Sequence, residues 1–318
     1  MIGGLIARLR TPALAGVFVL AFVLLSGCAT PQVTSLDARW PAELPDKVEL
    51  TDVPFFPQED YECGPAALAM VAGAAGVSVL PDDLVEQVYL PGRKGSLQQE
   101  MLAATRRQGL VAYPLSPRLE DLMREVAAGN PVLVFQNLSF EVYPVWHYAV
   151  AIGYDRDRNT LVLHSGRTER MEMSLFTFER TWARGQYWSM LALPPTRLPA
   201  TADASVYTSA TAALERLNPK AAQVAYTTAL HKWPDERTAL LGAGNTAYAL
   251  GQPSAAIAAY QSAVNHHPDF ADAWNNLAQV LMERGDRTQA AEAIGKAVAL
   301  GGNRLSRYQS LQLQINAK

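Results

Sequence analysis

The sequence is poor in cysteine, carries little net charge and lacks a nucleotide-binding motif. Only two of its 318 residues are cysteines, Cys28 and Cys63, so the fate of each thiol has to be considered separately. The net charge of -3 gives no reason to expect nucleic acid as a partner. The pattern Gly-x-x-x-x-Gly-Lys-Ser/Thr does not occur, which excludes an ATP-driven motor of that type. No metal-ligand cluster stands out in the sequence either, so we expect no cofactor and no metal. An apolar content of 49% and this length predict two folded domains.

The first 27 residues have the pattern of an export signal. Two arginines precede an apolar run over residues 13–25, which is short for a membrane-spanning helix. The run ends in Leu-Ser-Gly-Cys at residues 25–28, which resembles the bacterial lipoprotein signal. This resemblance implies that Cys28 is acylated and becomes the mature N-terminus. Because Ala29 follows in place of an aspartate, it also implies an outer-membrane location facing the periplasm. The alternative is a plain signal peptide or membrane anchor.

Acylation of Cys28 leaves the second cysteine without a disulfide partner. More than one acyl chain on a residue gives stable membrane anchoring. A lone free thiol in an exported protein indicates a functional role, which favours function at Cys63. Residues 28–50 contain three prolines among polar residues and show no clear periodicity. We therefore expect them to form a tether between the membrane and the folded part.

The segment around the second cysteine has the features of a nucleophile loop. Cys63 stands where a loop turns into a helix of small residues, and Gly64 and Pro65 fit that turn. A helix N-terminus favours the thiolate and so lowers the pKa of a cysteine. Gln58 can donate its side-chain amide to an oxyanion, together with the backbone N–H of Cys63. On this reasoning Cys63 is a candidate nucleophile.

The hydrophobic pattern of the first domain changes from helical to strand-like along the chain. Apolar residues at helical spacing, with capping residues, predict four helices, over residues 65–76, 81–89, 96–108 and 119–128. Short apolar runs then predict four strands, the second and third of which form a hairpin, over residues 131–136, 146–154, 161–164 and 187–193. Helices followed by antiparallel strands are typical of an α+β domain.

These motifs are similar to those of the bacteriocin-processing peptidases, which are papain-like domains that cleave double-glycine leaders in bacteriocin exporters. The resemblance covers roughly residues 53–193. It is carried by five groups of residues: Gln58, Cys63-Gly64-Pro65-Ala66-Ala67, Gly95-Ser96-Leu97, Gly129-Asn130-Pro131-Val132, and His147-Tyr148-Ala149-Val150 with Gly153-Tyr154.

The resemblance implies a role for each site residue. Cys63 would be the nucleophile, His147 the general base and Gln58 the oxyanion donor, and a Cys–His pair far apart in sequence agrees with that chemistry. The position that carries an aspartate in the family is His164, whose neutral ring could orient His147 without stabilising its charge. The nearby Asp155 lies in a turn that we expect to face solvent, as does Asp157. A Cys–His–His enzyme, a slow enzyme and a binding domain all stay open.

The C-terminal third repeats every 34 residues. After a proline-rich linker at residues 194–202, small and aromatic residues recur in phase over residues 203–318, which resembles the tetratricopeptide repeat. We expect about three units and a capping helix over residues 304–316. The in-phase positions are Ala222, Ala256 and Ala290; Tyr226, Tyr260 and Ile294; Ala229, Ala263 and Ala297; and the histidines His231, His266 and His267, at helix ends, are expected to be solvated and without a metal role.

The expected architecture is an α+β papain-like cysteine peptidase domain at residues 51–193 followed by an all-α tetratricopeptide-repeat domain. It favours a lipid-anchored outer-membrane peptidase that cleaves a peptide or protein, with a protein partner held by the repeats. A non-catalytic module that binds a secreted partner is the alternative from a different class. A related acyl transfer by the same Cys–His pair, such as transglutamination or amide hydrolysis, also stays open.

Overall fold

The computed structural model of the protein describes residues 30–58 and 62–317. The predicted signal peptide at residues 1–27 and the predicted lipidation site Cys28 therefore lie outside the described residues. Within these two ranges, none of the helices has both the length and the apolar character needed to cross a bilayer.

The first domain is built on a seven-stranded antiparallel sheet. Its strands follow the order β4-β9-β5-β6-β7-β8, and a short strand β1 pairs with the end of β6. A separate two-stranded hairpin joins β2 and β3. The strands are β1 (Lys47–Glu49), β2 (Tyr89–Leu90), β3 (Gly95–Ser96), β4 (Val111–Pro114), β5 (Val132–Asn137), β6 (Trp146–Asp155), β7 (Thr160–Ser165), β8 (Thr168–Ser174) and β9 (Ser189–Leu193).

Helices cover both faces of this sheet. The helices are α1 (Pro31–Ala38), α2 (Cys63–Ala74), α3 (Pro81–Val88), α4 (Gln98–Arg107), α5 (Leu119–Ala127) and α6 (Leu175–Arg184). One face of the sheet packs against α2, α3 and α4, and the other against α1, α5 and α6. Helix α2 is buried continuously from Gly64 to Ala72, which is why its residues are small and apolar on every side. The predicted helices and strands are all present, with ends shifted by a few residues.

The predicted tether at residues 28–50 is wrong for its described part. Residues 31–38 form α1, and the backbone N–H groups of Gln32 and Val33 donate to the two carboxylate oxygens of Glu179, at 3.0 and 2.7 Å. Glu179 is fully buried, and its carboxylate lies at the N-terminal end of α1, where the helix dipole is positive. Further along, β1 pairs with β6. The folded domain therefore begins near Pro31 and not at residue 51.

The second domain is an array of consecutive helices, as the predicted repeats require. Its helices are α7 (Ala204–Ala212), α8 (Pro219–Lys232), α9 (Arg237–Ala249), α10 (Pro253–His266), α11 (Ala271–Arg284), α12 (Arg287–Leu300) and α13 (Leu305–Asn316). The six in-phase alanines are fully buried where helices cross, and α13 is the expected capping helix. His266 pairs with Asp235, and the described residues hold no cluster of His, Cys, Asp and Glu suited to a metal ion.

The two domains share one hydrophobic core. A single cluster runs from the sheet through Tyr207 to Ala222 and Ala225 of the first repeat. The junction at residues 194–202 is fixed by Glu125, which is fully buried and accepts four hydrogen bonds. Three of these come from the N–H groups of Ala200 and Thr201 and the Thr201 hydroxyl. The predicted linker is therefore an ordered connection.

Candidate active site

A cleft of about 1000 Å³ lies where the start of α2 meets the sheet. Gln58, Cys63 and His147 all line it, so the fold brings these three predicted site residues together. Aromatic and basic side chains complete its walls. The aromatic group is Phe135, Trp146 and Tyr148, and the basic group is Arg93, Lys94, Arg167 and Arg184.

The cleft lies where two strands separate. The pairing of β6 with β7 ends at Val150 and His164, so the backbone of Tyr148 lies beyond the paired region. Its N–H is directed at the Cys63 thiol, and its carbonyl accepts a hydrogen bond from Gln58 Nε2 at 3.5 Å. Gln58 is itself held by its own N–H, which donates to the Gly166 carbonyl at 3.1 Å. The split in the sheet thus positions both the thiol and the amide.

Cys63 is the first residue of α2, as the sequence predicts, and its thiol faces the N–H groups of Cys63, Gly64 and Tyr148. The predicted lowering of its pKa is nevertheless wrong. Burial raises the pKa of the Cys63 thiol, and the three N–H groups only partly offset this effect. The desolvation of a thiolate here outweighs the helix terminus.

Gly64 allows the thiol to sit this close to the wall of the cleft. A side chain at this position would collide with Ser96 of β3. Ser96 is in turn tied to the sheet, because its carbonyl accepts a hydrogen bond from the Tyr148 hydroxyl at 3.2 Å. The glycine after Cys63 is therefore required by packing.

His147 lies on β6, opposite Gln136 of β5. Its Nε2 is hydrogen-bonded to the hydroxyl oxygen of Ser165 at 2.9 Å. Burial lowers the pKa of His147 to about 4, so the ring is neutral at physiological pH. Among the contacts of the described residues none joins this ring to the thiol. Catalytic hydrogen bonds often tighten only when substrate binds.

The predicted partner of His147 is corrected by the structure. His164 does not contact His147, because its two ring nitrogens lie against the carbonyls of Glu169 and Val53 and its ring packs on Phe55. Neighbouring side chains on a strand point to opposite faces. His164 faces the layer that contains α2, whereas Ser165 faces His147, and the register of β7 shifts between Leu163 and Ser165. The group hydrogen-bonded to His147 is therefore the neutral hydroxyl of Ser165.

Several residues in or beside the cleft were not predicted from the sequence. Ser165 is adjacent to the predicted position, and only the strand alternation distinguishes the two. Phe135 stacks on Trp146, with ring centroids 5.1 Å apart, and touches Tyr148. Gln186 lines the cleft in the left-handed region, with φ of 58°, within a turn after α6. A polar residue in that conformation gave no signal in the sequence.

Comparison with protein-family models identifies both domains. Residues 50–189 match the Peptidase_C39 like family. Residues 207–264 and 247–315 match two models described as tetratricopeptide repeat. The comparison with curated proteins gives no significant match. The chain thus has an N-terminal α+β C39-like peptidase domain followed by a helical tetratricopeptide-repeat region.

Three solved structures are similar to the first domain. A C39-like peptidase from Bacillus anthracis is 19% identical, with a TM-score of 0.38, and covers 46% of this chain and 97% of its own. The double glycine motif protease of the AMS/PCAT transporter, solved with a leader peptide, is 21% identical, with a TM-score of 0.33 and coverages of 46% and 96%. The peptidase domain of Streptococcus ComA, a bifunctional ABC transporter, is 22% identical, with a TM-score of 0.36 and coverages of 44% and 98%.

Proposed function

We propose that this C39-like peptidase domain, joined to tetratricopeptide repeats, is an exported, membrane-anchored cysteine peptidase. The observation that carries the proposal is the convergence of Cys63, Gln58 and His147 on one cleft, with the thiol at a helix N-terminus. A nucleophile, a base and an oxyanion donor in one cleft are the groups that acyl transfer requires. The peptidase domain implies a peptide substrate, and the repeats imply a protein partner.

The geometry assigns each group a step. The Cys63 sulfur attacks the scissile carbonyl while its proton passes to Nδ1 of His147. The oxyanion accepts hydrogen bonds from Gln58 Nε2 and the Cys63 backbone N–H, which is one of the unpaired donors at the start of α2. The C–N bond breaks as His147 returns the proton to the leaving amine. Water, deprotonated by His147, then cleaves the thioester and releases the acid.

The proposed base is the His147 tautomer that carries its proton on Nε2. When Nε2–H donates to the Ser165 hydroxyl oxygen, Nδ1 carries the lone pair that takes the thiol proton. The hydroxyl brings no negative charge, so it orients the ring but stabilises an imidazolium less than a carboxylate does.

The resting site holds a neutral thiol and a neutral imidazole. The pKa of Cys63 is raised and that of His147 is lowered, and burial is the main cause of both shifts. A preformed thiolate–imidazolium pair is therefore disfavoured before substrate binds. Proton transfer would accompany nucleophilic attack, so that thiol activation depends on a bound substrate.

Export and anchoring are supported by the sequence of the N-terminal segment. The apolar run at residues 13–25 followed by Cys28 supports acylation at the outer membrane, with the folded domains in the periplasm. The repeats would recruit the substrate or a protein partner to the anchored enzyme.

A second candidate is a catalytically weak domain that binds a secreted partner. It is favoured by the neutral Ser165 beside His147 and by the raised pKa of the Cys63 thiol. Both features reduce the driving force for thiolate formation, whereas neither alters the shape of the cleft.

The two candidates differ in what happens when the thiol is removed. Envelope and secreted peptides are compared by mass spectrometry between cells that carry the wild-type chain and cells that carry Cys63→Ala. The peptidase predicts intact precursors that accumulate only with Cys63→Ala, and His266→Ala serves as a surface control. Identical peptide profiles in all three strains would contradict the peptidase and leave the binding module.

A further inference from the structure

The loop between β5 and β6, residues 138–145, exposes an unusual amount of apolar surface together with Trp146, the first residue of β6. Phe140, Val142 and Tyr143 expose 76, 79 and 80% of their surface, and Val145 and Trp146 expose about half of theirs. Folded proteins seldom leave so many large apolar groups together in water unless they bind something.

This β5–β6 loop has a defined shape. The side chain of Asn137 is buried at its root, and its Oδ1 accepts hydrogen bonds from the N–H groups of Ser139 and Val145, each at 3.0 Å. The N–H of Leu138 donates to the Val145 carbonyl at 2.9 Å and closes the loop. The apolar side chains are therefore presented by an ordered scaffold.

The loop lies close to the point where the N-terminal segment enters the fold. Arg184, the last residue of α6, donates to the Asn137 carbonyl at the root of the loop. Glu179, on the same helix, holds the N–H groups of Gln32 and Val33. Arg184 follows Glu179 by five positions, which corresponds to about 7.5 Å along the axis of α6.

The distance from the predicted lipid to this entry point is short. Gln32 follows Cys28 by four positions, and a chain of that length spans at most about 14 Å when fully extended. An acylated Cys28 would thus place the membrane on the side of the molecule that carries the β5–β6 loop. Aromatic residues such as Tyr143 and Trp146 are the types enriched at membrane interfaces.

We propose that the β5–β6 loop lies in the membrane interface and holds the mouth of the catalytic cleft against the lipid surface. Phe140, Val142 and Tyr143 reach the boundary between headgroups and acyl chains, and the carboxylate of Glu141 stays among the headgroups. Because Trp146 and Val145 also line the cleft, the substrate is a peptide bond close to the membrane surface.

The inference rests on the membrane anchoring proposed above, and the test separates the two. The full chain is reconstituted into phospholipid vesicles and examined first by co-flotation. Vesicles with brominated acyl chains then quench the fluorescence of tryptophans that reach the bilayer. We expect a loss of fluorescence in the wild type that is absent in Trp146→Phe and unchanged in Trp274→Phe, a tryptophan of the repeats.

A second variant pair removes apolar surface and leaves the tryptophans intact. Phe140→Ser combined with Tyr143→Ser should reduce the quenching of Trp146. Leu313→Ser, which alters a residue 74% exposed on the capping helix, should not. If the chain co-floats but the fluorescence of Trp146→Phe is quenched as much as that of the wild type, the loop proposal alone is overturned. Absence of co-flotation would contradict both the loop proposal and the anchoring. A change of oligomeric state in the double variant without loss of quenching would instead assign the loop to a second copy of the chain.

Discussion

The two walls of the cleft position their functional groups in different ways. The helical wall, formed by Gln58 and the start of α2, relies on a helix terminus and on the close approach of Gly64 to β3. The sheet wall, formed by β6 and the end of β7, relies on strand register and a single hydrogen bond from His147 to Ser165. The first arrangement has local sequence signals, whereas the second depends on which residue faces which side of the sheet.

The largest expected effect lies on the sheet wall. His147→Ala removes the proposed general base, a group that contributes about 10²–10⁴-fold to rate in such sites. Peptide cleavage should fall by a factor in that range, and the circular dichroism spectrum should stay unchanged. His266→Ala is the matched control, since it alters an exposed histidine in the repeats. A loss of less than tenfold would remove His147 from the mechanism.

Gln58→Ala tests the helical wall. Loss of an oxyanion donor costs about 10²–10³-fold in kcat, because the donor acts mainly on the transition state. We therefore expect kcat to fall and KM to change little. Gln98→Ala, which alters another glutamine lining the cleft, should have a small effect. Equal losses in the two variants would contradict the oxyanion role of Gln58.

Variants of Ser165 and His164 should differ in the pH dependence of peptide cleavage. Ser165→Ala removes the hydrogen bond to His147 and should slow cleavage about tenfold. Ser165→Asp adds a negative charge beside the ring, which should raise the pKa of His147 above its value of about 4 and speed Cys63 alkylation near neutral pH.

His164→Ala is the contrasting substitution. It should lower the free energy of unfolding by roughly 1–3 kcal/mol, because at least one of the carbonyls of Val53 and Glu169 loses its hydrogen-bond donor. The pH profile of cleavage should stay that of the wild type. A shifted profile in His164→Ala with none in Ser165→Asp would reverse the assignment of the orienting residue.

Stability should also depend on pH, and the two walls act at opposite ends of the pH range. The unfolded chain protonates His147 near its ordinary pKa of about 6.5, whereas in the folded chain its pKa is about 4. The free energy of unfolding should therefore fall as the pH falls between these values. The raised pKa of Cys63 means that stability should fall as the pH rises above about 8.5.

Urea denaturation between pH 4 and 10 measures both contributions. His147→Gln should flatten the acid side of the profile alone, and Cys63→Ala the alkaline side alone. Slopes that persist in both variants would assign the pH dependence to other groups.

The helical wall could be predicted from the sequence because its signals are local. Small apolar residues after Cys63, with glycine and proline at the turn, specify a buried helix that begins at the thiol. The repeats were predictable for the same reason, since each unit packs on its neighbour and the in-phase alanines mark the crossings.

The rest depends on contacts between distant residues. The sequence predicts a tether at residues 30–50 because it does not reveal the contact that fixes α1. The carboxylate in that contact belongs to Glu179, almost 150 positions later in the sequence. The partner of His147 was misplaced by one residue, which on a strand changes the face. The raised pKa of Cys63 follows from burial by the whole fold, which spacing does not reveal.

The continuous core between the sheet and the first repeat has a mechanical consequence. Because Glu125 fixes the junction and Tyr207 packs into the shared core, the array cannot swing relative to the cleft as a hinged arm would. In the proposed peptidase, a polypeptide docked on the repeats would therefore lie at a fixed distance from the Cys63 thiol. Cleavage positions would then be selected by their distance along the polypeptide from the docked segment.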